Sequence, residues 1–286
     1  MSTLTAVLGA GTMGAGIAQA CATAGQRVLL LDVNEEAGGR ALAGIGESLD
    51  RLVNRERLDA EAAAAAVGRI VTGTDYGRLA EADVVIEAVP EDLSVKEQVW
   101  REAAGAAGPD ALLATNTSSL SVTQLAAFSG GREARFCGLH FFNPVAVLPL
   151  VEVVKAQLTT PETITRATAF VEALGKTPIT CDDTPGFIVN RLLIPYLNDA
   201  VHVLAEGVAS AADIDRAMKL GANMPLGPLA LCDLVGLDVT LAAAESLHAE
   251  FQDPKFRVHP LLRQLVRAGR LGRKSGAGFY DYAEEG

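Results

Sequence analysis

The chain has 286 residues, 49% hydrophobic and 21% charged, so it can bury a sizeable core and is long enough for two domains of unequal size. A formal charge of −11, with no Lys/Arg-rich block to offset it, argues against nucleic acid as a partner, although a small anion needs only a helix N-terminus and a few basic groups. No apolar run nears the roughly 18 residues needed to span a bilayer, and Met1 to Leu4 leads almost at once into a strand, so a soluble, cytoplasmic protein with no membrane partner and no targeting peptide is expected.

Residues 5–8 read as a buried strand. The run Gly9-Ala10-Gly11-Thr12-Met13-Gly14 then opens a helix to about residue 24, and residues 27–31 form a second strand ending at Asp32, which makes a βαβ unit with its glycines in the turn. A charged helix over 35–57 follows, then an alanine-rich helix over 60–67 and a short strand over 69–72. Further strands are expected at 84–88 and 112–115, with a helix at 94–107 between them. Strand-like runs at 136–140, 151–154 and 178–181, with a helix at about 163–174, complete this part. The alternation predicts an α/β fold: a Rossmann-like, doubly wound, mostly parallel sheet with helices on both faces. After Asp182-Asp183-Thr184-Pro185-Gly186 the texture turns helical as far as about Arg267. The expected division is 1–183 for the nucleotide-binding part and 184–286 for an all-helical second domain.

The glycine run has the context that a dinucleotide site requires: a strand before it, a helix after it and an acid at the end of the next strand. Gly9 permits the tight turn, Gly11 lets the backbone approach a pyrophosphate, and Gly14 allows close helix–strand packing. Asp32 would accept hydrogen bonds from ribose hydroxyls and repel a 2′-phosphate, which predicts NAD rather than NADP. Strand C-termini face the cofactor crevice in such sheets, which draws attention to 87–96 and 115–121. Ser121 and Gln124 fit a capping box, which leaves Ser118 and Ser119 free on the crevice loop or bonded to the turn backbone. No G-x-S-x-G surrounds them, so a nucleophilic serine is not expected.

The segment from Gly138 to Glu152, G-L-H-F-F-N-P-V-A-V-L-P-L-V-E, sets a histidine, an asparagine and a glutamate around two short strands broken at Asn143-Pro144. If the second strand turns back beside the first, Glu152 reaches the His140 ring, fixes its tautomer and stabilises its protonated form, as a general base needs. A histidine at a strand end also serves as an ordinary structural residue. Cys21, Cys137, Cys181 and Cys232 are widely spaced, with no C-x-x-C and no clustered histidine. Buried, reduced thiols are expected, with neither a metal site nor a disulfide framework. Thr184 reads as the N-cap of the first helix of the second domain, with Pro185 at its first position. Phe187, Asn190, Ile194, Leu197 and Val201 share one face of that helix. An amide in such a stripe costs roughly 1–3 kcal/mol unless paired, so Asn190 either bonds nearby backbone or points into an interdomain cleft to hold a ligand.

Together, the glycine fingerprint with Asp32, Asn-Thr-Ser-Ser at 116–119, His-Phe-Phe-Asn-Pro at 140–144, Leu-Val-Glu at 150–152, Asp-Thr-Pro-Gly-Phe-Ile-Val-Asn-Arg at 183–191 and Lys-Ser-Gly-Ala-Gly-Phe-Tyr at 274–280 resemble the 3-hydroxyacyl-CoA dehydrogenases, in the same order and essentially end to end. The resemblance implies NAD-dependent interconversion of an (S)-3-hydroxyacyl-CoA, short-chain and 3-hydroxybutyryl-CoA-like, with its 3-oxo form. It implies His140 as catalytic base and Glu152 as its orienting partner. Ser118 and Asn190 would bind the 3-oxygen, and Asn143 would line the same pocket. It places Gly9, Gly11, Thr12, Met13, Gly14, Asp32, Glu91, Lys96 and Asn116 around the cofactor, and Ser48 and Arg55, on the charged helix, near coenzyme A. The same helix, with Arg51, Arg55 and Arg57 among Glu47, Asp50 and Glu56, would look alike if merely solvated and salt-bridged. A homodimer is expected. An acyl-carrier-protein thioester, a free hydroxy or sugar acid, and a non-catalytic NAD-binding protein are the competing readings.

Overall fold

The structure, a computed structural model, describes residues 3–282. The chain divides into two compact units after Thr184. The first alternates strands and helices: β1 (Leu4–Leu8), α1 (Thr12–Thr23), β2 (Arg27–Leu31), α2 (Glu35–Val53), α3 (Ala60–Gly68), β3 (Ile70–Gly73), β4 (Val84–Glu87), α4 (Leu93–Ala106), β5 (Leu112–Thr115), α5 (Val122–Ala126), β6 (Phe136–Phe141), β7 (Leu150–Lys155), α6 (Pro161–Ala173) and β8 (Thr177–Asp182). Together the strands make one eight-stranded sheet in the order β3-β2-β1-β4-β5-β6-β7-β8. Every pairing is parallel except β6 with β7. This is the doubly wound sheet that the alternation implies. Between β1 and β4 the direction of winding reverses, and that switch point opens a crevice at the strand C-termini.

The strands form where they do because both faces are covered. Ala6, Val7, Leu8, Leu30, Leu31, Val85, Ile86, Leu113 and Ala114 have no accessible surface, as expected of continuous apolar runs rather than alternating ones. Helix starts follow side-chain chemistry. Asn34 accepts from the Glu36 amide at the head of α2, Asp92 accepts from Ser94 at α4, and Thr160 caps α6 with Pro161 at its first position. β8, with a partner strand on one side only, is the most exposed strand, and Cys181 on it is half-buried rather than buried as expected. Cys21, Cys137 and Cys232 are buried.

Helix α2 stops at Val53, short of the expected residue 57. The amides of Arg55 and Arg57 turn back onto the Leu52 carbonyl, and Glu56 is left-handed at φ +55°, which ends the helical ladder. Arg55 therefore lies in the turn beyond α2 and not on it.

The second unit is helical: α7 (Val189–Ala205), α8 (Ala211–Gly221), α9 (Pro228–Val235), α10 (Leu237–Phe251) and α11 (Pro260–Arg267). Its core includes Leu197, Val201, Leu229, Cys232, Leu237 and Leu262, all without accessible surface. Helix α7 starts four residues later than the Thr184 cap predicts. Gly186 (φ +74°) and Phe187 (φ +47°) are both left-handed, so no helix can run through them. The buried amide of α7 is Asn198 rather than Asn190: its Nδ2 donates to the Arg257 carbonyl at 3.0 Å and its Oδ1 accepts from the His259 amide at 3.0 Å. Beyond α11, two buried carboxylates clip the returning chain. Asp233 accepts from the amides of Phe279 and Tyr280 and from the Tyr282 hydroxyl, and Asp215 accepts from the Tyr280 hydroxyl and from the first amides of α9.

Candidate active site

The antiparallel register of β6 and β7 sets His140 directly opposite Glu152. Directly paired residues point to the same face, and the His140 Nδ1 lies 2.7 Å from the Glu152 Oε2. Both are enclosed, at 5% and 0% exposure. A carboxylate on Nδ1 holds the neutral ring with its proton there, so the lone pair sits on Nε2, and the same carboxylate stabilises the imidazolium once Nε2 takes up a proton. The Phe142 ring lies against the imidazole, with centroids 4.4 Å apart. Asn116, at the end of β5, accepts the Phe141 amide through its Oδ1 at 2.9 Å and so ties the neighbouring strand end to the residue after His140.

A cavity of about 1000 Å³ opens over the β1–α1 turn. A side chain on Gly9 (φ +101°) would come within 2.7 Å of the Ala88 carbonyl, and one on Gly14 would run into the Gly9 carbonyl. A Cβ on Gly11 would meet nothing within 4 Å, because that position faces the cavity. Gly11 is also the N-cap of α1, and no side chain caps this helix. Its first amides, including those at Thr12 and Met13, are thus donors without intrahelical acceptors, in a positive potential that suits phosphate. Asp32 borders the cavity, with Oδ2 accepting the Ala10 amide at 2.8 Å and Oδ1 the Asn34 amide at 3.1 Å. These residues fit a dinucleotide: open backbone for the pyrophosphate and a fixed carboxylate for the ribose. Ser48 and Asn143 line the same cavity. Arg55 is exposed and is not among its lining residues.

Ser118 and Ser119 do not stand free. Glu91 Oε1 gathers the turn that carries them, accepting from the Thr117 hydroxyl (2.5 Å), the Ser118 amide (2.9 Å), the Ser119 amide (3.0 Å) and the Ser119 hydroxyl (2.9 Å). Its other oxygen faces the Lys96 ammonium at 3.2 Å. Burial pushes the Glu91 carboxyl up, but the Lys96 charge and the bonds from Thr117, Ser118 and Ser119 outweigh it and hold the group below the usual carboxylate range. Lys96, at 1% exposure, does not line the cavity, and its ammonium meets Glu91 at 3.2 Å. Ser121 caps α5, accepting from the Gln124 amide, and its hydroxyl donates to Asp183. Asn190 sits in the first turn of α7, half-buried.

Two groups here fall inside the crevice-facing stretches 87–96 and 115–121 but were given no role of their own. Glu87, at the end of β4, is fully buried and takes the Lys96 ammonium at 2.6 Å, and Thr117 anchors the turn. The signal for Glu87 was a carboxylate closing an otherwise apolar strand, which is costly unless paired.

Residues 4–184 match the 3-hydroxyacyl-CoA dehydrogenase NAD binding domain, and residues 186–282 match the C-terminal domain of the same family. The chain is 45% identical to the 3-hydroxybutyryl-CoA dehydrogenase of Clostridioides difficile, over 97% of this chain and 98% of that one. It is 43% identical to the mitochondrial hydroxyacyl-coenzyme A dehydrogenase of Sus scrofa, over 96% of this chain and 90% of that one. The crystal structure of an (S)-3-hydroxybutyryl-CoA dehydrogenase from Ralstonia eutropha is similar with a TM-score of 0.95 and 46% identity, covering 99% of both chains.

Proposed function

Because this chain belongs to the 3-hydroxyacyl-CoA dehydrogenase family of NAD-dependent oxidoreductases, we propose that it interconverts short-chain (S)-3-hydroxyacyl-CoA and 3-oxoacyl-CoA, with His140 as its base and acid. The single observation that carries the residue-level reading is the buried 2.7 Å contact between His140 Nδ1 and Glu152 Oε2.

When bound, NAD⁺ supplies the acceptor for the hydride that leaves C3. In oxidation, Nε2 of His140 takes the proton of the 3-hydroxyl, and Glu152 stabilises the cation that forms. In reduction the same nitrogen returns the proton to the 3-oxygen. Enclosure of the pair keeps that charge out of bulk water, where the carboxylate would count for much less. Ser118 binds the 3-oxygen in this reading, with Asn143 lining its pocket, and Asn190 is a substrate-binding residue by the family resemblance. Gly9, Gly11, Thr12, Met13, Gly14 and Asp32 hold the nucleotide, with Asn116, Glu91 and Lys96 shaping its nicotinamide end. Ser48 and Arg55 meet coenzyme A.

His140→Gln should abolish turnover of acetoacetyl-CoA while leaving NADH binding, read by fluorescence titration, within about twofold of wild type; retained turnover would remove the base from the mechanism. The reading extends to a cytoplasmic homodimer. Leu192, Val208 and Leu220 are exposed on the helical unit, and no helix among the described residues is long and apolar enough to cross a membrane. Light scattering after gel filtration checks the dimer, and a monomer mass would discard it.

A further inference from the structure

Glu87 ends β4 at the switch point of the sheet, in register with Leu8 of β1 and Thr115 of β5, and has no accessible surface. A carboxylate in that position is expensive unless every lone pair is used. Here Oε1 accepts the Lys96 ammonium at 2.6 Å and the Val89 amide at 2.9 Å, while Oε2 accepts the Thr115 hydroxyl at 2.7 Å. Lys96 is shared among Glu87 Oε1, Glu91 Oε2 at 3.2 Å and the Val89 carbonyl at 3.4 Å. Glu91 then holds the turn of Thr117, Ser118 and Ser119 through its other oxygen. The chain of contacts runs from the sheet floor, through one buried cation, to the serine turn. Val89, whose amide and carbonyl take part in it, lines the nucleotide cavity together with Ala88 and Pro90.

We propose that Glu87 is a positioning residue: it anchors the Lys96 ammonium, which fixes Glu91 and thereby sets the height and angle of the Ser118 turn. The inference rests on the dehydrogenase reading, in which Ser118 meets the 3-oxygen of the substrate. Two carboxylates compete for one ammonium, and that competition gives the arrangement its sensitivity. Lys96 lies closer to Glu87, at 2.6 Å, than to Glu91, at 3.2 Å. With glutamine at position 87 the ammonium moves toward Glu91 and pulls the oxygens that hold the turn. Glutamine at position 87 has nearly the same shape. It can still accept from Val89 and donate to the Thr115 oxygen, so the fold is kept while the charge is lost.

The test compares wild type, Glu87→Gln, Lys96→Met and the double variant by steady-state kinetics with acetoacetyl-CoA and NADH, by NADH titration and by thermal melting. Glu87→Gln should lose at least tenfold in kcat/KM, with NADH affinity within threefold and the melting temperature within a few degrees of wild type. The double variant should be no slower than Lys96→Met alone, because Glu87 acts only through that lysine. Wild-type kcat/KM in Glu87→Gln, additive losses in the double variant, or a loss that parallels loss of NADH binding would each overturn the proposal. If Glu87→Gln does not fold, the charge-neutral double variant takes its place: equal to Lys96→Met it supports the proposal, and slower or unfolded it overturns it. A wild-type protein that does not consume NADH with this substrate would instead overturn the dehydrogenase reading itself.

Discussion

Replacing Glu152 by glutamine removes one charge from a buried pair and little else. The carboxamide is isosteric, and its oxygen can still accept the Nδ1 proton of His140 across the 2.7 Å contact. What is lost is the difference between a charged and a neutral acceptor, which hydrogen-bond energetics put at about 1–1.5 kcal/mol. The Coulomb attraction between unit charges roughly 4 Å apart at an effective dielectric of about 20 is about 4 kcal/mol. In the transition state the proton is only part-way to Nε2, so about 2 kcal/mol is a fair central value, equivalent to roughly thirtyfold in kcat. Because the pair is enclosed, salt should not screen the loss. The assay is initial-rate NADH oxidation with saturating acetoacetyl-CoA, alongside NADH titration to show that the cofactor still binds. A kcat within threefold of wild type, with intact NADH binding, would refute the electrostatic role given to Glu152.

The cavity carboxylate should set cofactor choice: Asp32→Asn is expected to narrow the NADH-over-NADPH preference in kcat/KM by tenfold or more, and an unchanged ratio would remove Asp32 from ribose recognition. Glu91, whose folded carboxyl lies below its ordinary value of 4.5, contributes stability that is present above that value and lost as pH falls through the lower folded one. The melting-temperature gap between wild type and Glu91→Gln should therefore hold steady from neutral pH down to about 4.5 and close on further acidification; a gap that widens there would contradict the assignment. Tyr280→Phe takes one donor from the buried Asp215 and should lower stability by about 1–2 kcal/mol, read as a shift of a few degrees in melting temperature. No shift would mean that the two α9 amides suffice. Burial pushes the thiols of Cys21, Cys137, Cys181 and Cys232 up to about 12, so iodoacetamide at about pH 8 should leave all four unmodified in the native protein and label all four after unfolding. Rapid native labelling of Cys181, the half-buried one, would contradict this.

Strands were legible because their apolar runs are buried on both faces, and β2 and β5 fall where the sequence pattern puts them. The facing of His140 and Glu152 was legible only conditionally, since it depends on β7 turning back beside β6, which no local propensity dictates. Helix starts were less legible. The Pro185-Gly186 pair looks like a helix entrance, but the left-handed conformations of Gly186 and Phe187 push α7 on to Val189. Ser118 and Ser119 were open to two readings, free or bonded to the turn backbone, and neither named Glu91, because it is remote in sequence and comes from the loop before α4. Glu87 opened a stretch marked by its position, but its role went unread for the same reason: its cation is one turn into a helix, and neither residue shows its pairing until the strand and helix are packed together.

The most direct test of the central claim is NADH consumption by the purified protein with a 3-oxobutyryl group offered as its coenzyme A thioester, as its carrier-protein thioester and as the free acid. The account predicts rapid oxidation with the coenzyme A thioester, declining as the acyl chain lengthens, and slow or absent oxidation with the other two. No NADH oxidation with any 3-oxoacyl-CoA would contradict it, and a preference for the carrier-protein thioester or the free acid would move the same chemistry to a different substrate.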